Sequence, residues 1–207
     1  FEMNDVLSPV QRLIAIHDEI RHSQSLADVT RIAIALYDSK THILKTFIRS
    51  GTRESPLDHY TAQLEDIPSL AEVARLRRPR VVDDLDMFKS SPSIHSTKLL
   101  KHGFRSSLTV PIHDHGELFG FLFFNSEKTA CFTEVVVHQL IPYARAIALF
   151  AINDMQSIRM LQAAVKTARE ITHLRDDETG GHLDRMARYA RLMAMNLAPK
   201  FGFDDEF

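Results

Sequence analysis

Glu178 and His182 stand four residues apart, a spacing that on a helix sets a carboxylate and an imidazole on one face and brings both toward a single point. Such a pair is a fragment of a divalent-metal site, since carboxylate oxygen and imidazole nitrogen are common partners on one cation. The competing reading is a capped helix start with no ion at all. His182, Met186 and Tyr189 share one helical face, which predicts an imidazole turned inward. His113 and His115 flank Asp114 and can reach one ion, but alternate side chains at a hairpin tip more often face water, and a stable site needs further ligands. The remaining histidines of the eleven are mostly scattered singly, as solvated or hydrogen-bonded surface residues are. The lone Cys131 excludes an internal disulfide framework and a cysteine-based zinc site. Arg185, Arg188 and Arg191 form a basic stripe, yet Glu178 and Asp184 sit among them, so a solvated, salt-bridged face is the better reading.

Composition limits what these residues can serve. The 207 residues carry 25 Lys and Arg against 27 Asp and Glu, a net charge of −2, so no basic excess drives the chain onto nucleic acid or a membrane surface. A content of 25% charged and 44% hydrophobic residues is that of a folded globular chain. The longest apolar runs, such as 118–124, fall far short of the roughly 20 residues that a spanning helix needs. With no secretory pattern and one cysteine, the expected setting is cytoplasmic.

The elements that must position the candidates follow from periodicity. Ser8-Pro9 reads as a cap and first helical residue, followed by Val10, Leu13, Ile14, Ile16, His17 and Ile20 at helical spacing. Ile32, Ile34 and Leu36 alternate with Ala33, Ala35 and Tyr37; the turn Asp38-Ser39-Lys40-Thr41 and the apolar stretch 43–48 complete a hairpin. Ser69 with Glu72 predicts a capping box ahead of Leu70, Val73 and Leu76, with Pro79 stopping that helix before a short Val81-Val82 strand. Gly103 signals another helix end. Strands at 107–112 and 118–125 flank Asp114-His115-Gly116, a turn tolerant of positive φ, and the second strand is apolar on both faces, so it belongs in mid-sheet.

Thr133 then caps a long helix through Val137, Leu140, Ile141, Ala144, Ile147 and Ala151, with Pro142 predicting a kink. Its apolar spacing continues through Met155, Ile158, Leu161, Val165 and Ala168, a seam suited to a parallel homodimer; packing on the chain's own sheet is the alternative. A polar break at Arg175-Asp176-Asp177 precedes a fresh helix at 181–196, ended by Pro199 and Gly202. Asp204-Asp205-Glu206 resembles the acidic start of a further helix, so the sequence reads as cut inside a domain at Phe207.

Gly103-Phe104-Arg105-Ser106-Ser107-Leu108-Thr109-Val110-Pro111-Ile112, then Gly116-Glu117-Leu118-Phe119-Gly120-Phe121, behind the helix that contains Leu70, resembles the GAF family, with its G-x-R-S-x-x-x-V-P and G-x-x-x-G strands. The resemblance spans 10–152. It implies an α+β fold, an antiparallel sheet of five or six strands flanked by helices, and a pocket between sheet and covering loops for a small molecule it does not identify. Asn125-Ser126 and Phe132 match part of the pattern of cyclic-nucleotide-binding members, but Thr133-Glu134-Val135-Val136 replaces their Asp-Glu end. Cys131 lacks the neighbouring His of a bilin site.

Arg175-Asp176-Asp177-Glu178-Thr179-Gly180-Gly181-His182-Leu183-Asp184-Arg185 resembles R-D-x-E-T-G-x-H-x-x-R, the first motif of HD-GYP domains, which hydrolyse cyclic di-GMP. The resemblance covers 164–207 and implies that Glu178 and His182 are ligands to a divalent metal, Fe or Mn, in a complete domain. The family's His-Asp dyad and Gly-Tyr-Pro segment come after this motif; His17-Asp18 and His113-Asp114 come before it. The expected organisation is a GAF sensory domain at 1–152, a signalling and dimerisation helix at 151–174, and an HD-GYP start at 164–207 truncated before the dyad. The expected function is the sensory part of a cyclic di-GMP phosphodiesterase, with no catalytic residue of its own and no turnover by this chain alone. The alternative is a stand-alone ligand-binding dimerisation module without enzymatic output.

Overall fold

Ser8 opens the first helix with a reciprocal cap: its hydroxyl accepts the Gln11 N–H at 3.2 Å while the Gln11 side chain accepts the Ser8 N–H at 2.8 Å. The computed structural model describes residues 7–51, 61–88, 99–100, 102–175 and 177–197, excluding the side chains of 88 and 173–180. Helix α1 (Pro9–His22) buries Leu13, His17 and Ile20, a narrower face than the apolar spacing suggests, since Val10 and Ile14 stay exposed.

Strands β1 (Arg31–Asp38), β2 (Ile43–Ser50) and β3 (Thr61–Gln63) precede helix α2 (Pro68–Leu76); β4 (Arg80–Val82), β5 (Ser106–Asp114) and β6 (Glu117–Ser126) follow it. The six strands form one sheet in the order β3-β2-β1-β6-β5-β4, antiparallel at every pairing. The doubly apolar β6 lies inside it, between β1 and β5, as its composition requires. The β5–β6 hairpin turns at His115 (φ 48°) and Gly116 (φ 88°), where the sequence places residues that tolerate positive φ. Gly120 has a different reason: a Cβ there would collide with the Ala35 carbonyl of the neighbouring strand. The β1–β2 turn is held by Asp38, whose carboxylate accepts the Lys40 N–H and the Thr41 hydroxyl, both at 2.9 Å.

Alternation sorts the sheet into two faces. Ile32 and Ile34 pair across to Phe124 and Leu122 on the face that meets α1. On the other face α2 packs Ile67, Leu70 and Val73 against Ala35, Leu44, Phe121 and Phe123. Helix α2 departs from the expected start. It begins at Pro68 behind Ile67, with no side-chain cap; Pro68 takes the first helical position, where its missing N–H costs nothing, so Ser69 is already inside the helix. Glu72 instead pairs with Arg75 at 2.7 Å.

Helix α3 (Glu134–Arg175) starts after Thr133, whose hydroxyl accepts the Val136 N–H at 3.4 Å, and continues through Pro142. Over Glu134–Thr172 it is long and apolar enough to cross a membrane by length and composition. The expectation that no stretch approaches this length is corrected: the apolar residues recur at helical spacing instead of forming one run. Leu140, Ala144, Ile147 and Ala151 are buried, and Arg12 of α1 lies 5.2 Å over the Phe150 ring. Helix α4 (Asp177–Leu197) begins four residues before the expected Gly181, because Asp177 and Glu178 favour a helix N-terminus enough to carry Gly180 and Gly181 within the helix. Pro199, Gly202 and the acidic run after them lie outside the described residues. The chain divides into two units, Phe1–Ile152 and Asn153–Phe207.

Candidate functional site

Two groups of candidates emerge, one in each unit. In the first, Arg31 opens β1 on the α2 side of the sheet, in register with Asn125 of β6, which pairs in turn with Ser107 of β5. The Arg31 guanidinium donates to the Asn125 side-chain oxygen at 2.8 Å, and the Asn125 amide donates to the Ser107 hydroxyl at 3.0 Å. All three are almost fully buried. The Arg31 guanidinium also lies 6.0 Å from the Phe104 ring centroid, within cation–π range. A buried charge is tolerated only when polar and aromatic partners replace its water, and this one sits at the edge of the cluster of Leu85, Leu99 and Phe104.

Sequence reading singled out Asn125 as part of an incomplete nucleotide pattern and missed Arg31 and Ser107. The available signal was an arginine leading an otherwise apolar strand. Ser126 and Phe132, the other members of that pattern, do structural work: the Ser126 hydroxyl accepts the Lys128 N–H at 3.1 Å and Phe132 is buried in the core. Cys131 is half-buried, and burial raises its thiol pKa above the ordinary value, which disfavours the reactive thiolate.

The hairpin-tip histidines do not converge on one point. His115 Nδ1 lies 2.8 Å from the Asp114 carboxylate at the exposed tip. His113 bonds the Ala74 backbone, and burial, with the Arg77 cation beside it, lowers its pKa. Arg77 in turn donates to the Gly116 carbonyl at 2.6 Å, so this corner is a dock between α2 and the hairpin.

In the second unit, Glu178 and His182 lie one turn apart near the start of α4. His182 is exposed, as are Met186 and Tyr189, which corrects the inward-facing imidazole expected from the shared face: no described element covers that side of the helix. The Glu178 side chain lies outside the described residues. Asp184, two residues after His182, pairs with Arg169 at 2.7 Å. Among the described residues no three His, Cys, Asp or Glu side chains gather as a metal site would require.

Comparison with known proteins bears on the first unit. A family model described as GAF domain matches residues 15–150. The GAF domain/HD domain protein from Geobacter sulfurreducens superposes with a TM-score of 0.56 at 15% identity, over 74% of this chain and 97% of that one. The phycocyanobilin-bound GAF domain of a cyanobacterial phytochrome gives 0.54 at 18% identity, over 73% and 88%. The type II free methionine-R-sulfoxide reductase of Thermoplasma acidophilum gives 0.51 at 16%, over 68% and 89%. At these identities the likeness is one of fold. No curated protein matches the sequence.

Proposed function

The chain belongs to the GAF domain family, and from that premise we propose that it is the sensory portion of a cytoplasmic cyclic di-GMP phosphodiesterase whose catalytic core is an HD-GYP domain continuing from α4. The observation that carries the reading is the motif of residues 175–185, placed at the start of a helix directly behind the helix that leaves the sheet domain. Glu178 and His182 are then two ligands of a divalent metal, Fe or Mn, completed by donors further along the chain. A description pairing GAF and HD domains in one structural neighbour is consistent with this order.

The α2 side of the sheet is the sensing surface for a small molecule, and the second half of α3 relays its state through a homodimer. Ile158, Leu161 and Val165 are exposed along one stripe of α3, the arrangement that favours a partner helix. Neither nucleic acid nor membrane is needed as a partner. Leu161→Glu/Val165→Glu is expected to yield a monomer by light scattering at micromolar concentration; an unchanged dimer mass removes the seam.

The phosphodiesterase reading is tested on the protein made from the whole reading frame, supplied with Mn2+ or Fe2+ and cyclic di-GMP. His182→Ala is expected to abolish turnover and lower metal content, and Glu178→Ala to lower metal stoichiometry with a smaller loss of rate. Wild-type metal and rate in His182→Ala would reduce the motif to a helix cap. The 207-residue chain alone is expected to show no turnover. The second reading, a ligand-binding dimerisation module, rests on the same exposed stripe and is favoured if the longer protein dimerises without hydrolysing cyclic di-GMP.

A further inference from the structure

Helix α2 ends on a conformation that its last residue does not favour. Its C-cap, Arg77, stands in the left-handed region (φ 53°), which glycine enters freely and a residue with a side chain does not. Its own guanidinium crosses to the β5–β6 hairpin and donates to the Gly116 carbonyl, which helps to hold it there. A second tie runs the other way: the half-buried His113 ring on β5 bonds the Ala74 backbone of α2. The register of β5 against β6 slips between Ile112 and His113, the kind of irregularity that bends a strand and re-aims a side chain. Ala74 and Leu118, the residue across from His113, pack at the margin of the cluster beneath α2.

The two ties bring a titratable ring and a permanent cation into one corner. A neutral imidazole sits beside the Arg77 guanidinium at no electrostatic cost, whereas an imidazolium there faces a like charge and has lost part of its water. The carboxylates of the two elements are engaged elsewhere: Glu72 accepts from the Arg75 guanidinium at 2.7 Å, and Asp114 lies 2.8 Å from His115 Nδ1. Arg78 and Glu117 are exposed, and β6 brings the apolar Leu118. Burial first and the Arg77 cation second outweigh the Ala74 contact, which favours the proton, so the pKa of His113 lies below the ordinary 6.5. The buried Ile67, Leu70 and Val73 hold the rest of α2 through apolar packing that carries no charge.

We propose that this corner is a proton-sensitive latch: when His113 takes up a proton, the C-terminal end of α2 releases the hairpin while the buried middle of the helix stays on the sheet. The closed latch disfavours the proton, and the open one, with the ring in water, does not. Closure is therefore fully favoured above pH 6.5, weakens as pH falls toward the lowered value, and changes no further below it. One proton limits the gain in opening to about tenfold per pH unit inside that window. Acidification becomes a signal that the sheet domain reads with neither ligand nor metal.

Two measurements on the 207-residue chain test the latch. An NMR titration of the His113 ring is expected to give a pKa below 6.5 in the wild type and in Arg77→Lys, which keeps the charge, and a value moved up toward 6.5 in Arg77→Met. Amide hydrogen exchange from pH 7 down to pH 5, corrected for the intrinsic pH dependence of exchange, reads the opening itself. Protection of the Arg77 N–H, which bonds the Val73 carbonyl, is expected to fall relative to that of Leu122 in the central strand β6. His113→Gln, whose amide can still donate to the Ala74 carbonyl but takes up no proton, is expected to remove that fall, and His115→Gln at the exposed tip is expected to leave it in place. Circular dichroism melts confirm that each variant folds; if His113→Gln does not, the titrations of Arg77→Lys and Arg77→Met decide. The latch is overturned if His113 titrates at or above 6.5 in the wild type, if Arg77→Met leaves that value where it was, if the Arg77 amide keeps the same relative protection across the range, or if His113→Gln retains the fall.

Discussion

One helix passes through two environments, and the same residue types are worth different amounts in each. In the first part of α3, Leu140, Ala144, Ile147 and Ala151 are buried in the sheet domain; further along, Ile158, Leu161, Val165 and Ile171 keep the helical apolar spacing but are exposed. Periodicity says that a helix has a preferred face. It does not say what covers that face. The first unit owes its stability to side chains already satisfied within the chain, whereas the second leaves large apolar side chains exposed among its described residues.

The sharpest way to break this contrast is through glycine. Gly120→Ala drives a methyl into the Ala35 carbonyl between two central strands, where backbone must move, and is expected to cost about 4 kcal/mol or to prevent folding. Gly181→Ala in α4 meets only the end of the Arg185 side chain at 3.4 Å and should raise helix stability by about 1 kcal/mol through reduced backbone entropy in the unfolded chain. Urea unfolding followed by circular dichroism reads both. Equal effects of the same sign would erase the distinction between the regions.

Next in size is the comparison within α3 itself. Ile147→Ala removes a fully buried side chain and is expected to cost about 3 kcal/mol. Leu161→Ala, at an exposed position, is expected to change the unfolding of dilute monomer by less than about 0.5 kcal/mol. A large loss for Leu161→Ala at concentrations where the chain is monomeric would show that the second unit is covered from within. Asn125→Ala follows at about 2 kcal/mol, because it strips a buried acceptor from the Arg31 guanidinium.

What the sequence disclosed follows the same division. The β5–β6 hairpin was legible because its information is local: alternation and a turn with Gly116 specify it together. The start of α2 was misread for an equally local reason, two competing signals one residue apart, of which Pro68 prevailed over Ser69. The Arg31–Asn125 pair was not legible, since it joins residues 94 positions apart and neither carries a local mark of the other. At α4 the motif residues were readable, while the exposure of His182 depends on what packs there, which periodicity does not encode.

The smallest expected effect belongs to His17, which ties α1 to the start of the sheet. Its ring is buried and its Nε2–H donates to the Val29 carbonyl at 2.8 Å. Burial lowers its pKa below the ordinary 6.5, and the nearby Arg21 cation adds to this, while the Val29 hydrogen bond and Asp18 oppose it. The folded state therefore disfavours the proton more than the unfolded state does. Between the lowered pKa and 6.5 the unfolded chain binds more protons, so stability rises with pH across that window. The contribution is fully present above 6.5, is lost as pH falls toward the folded value, and changes no further below it. One proton limits the slope to about 1.4 kcal/mol per pH unit. Urea midpoints of the sheet domain measured from pH 7 down to pH 5 should fall more steeply in the wild type than in His17→Gln, whose amide can still donate to the Val29 carbonyl but takes up no proton. Parallel curves for the two proteins would show that the α1 contact carries no pH dependence, and the fall would then have to come from other titrating groups of the first unit.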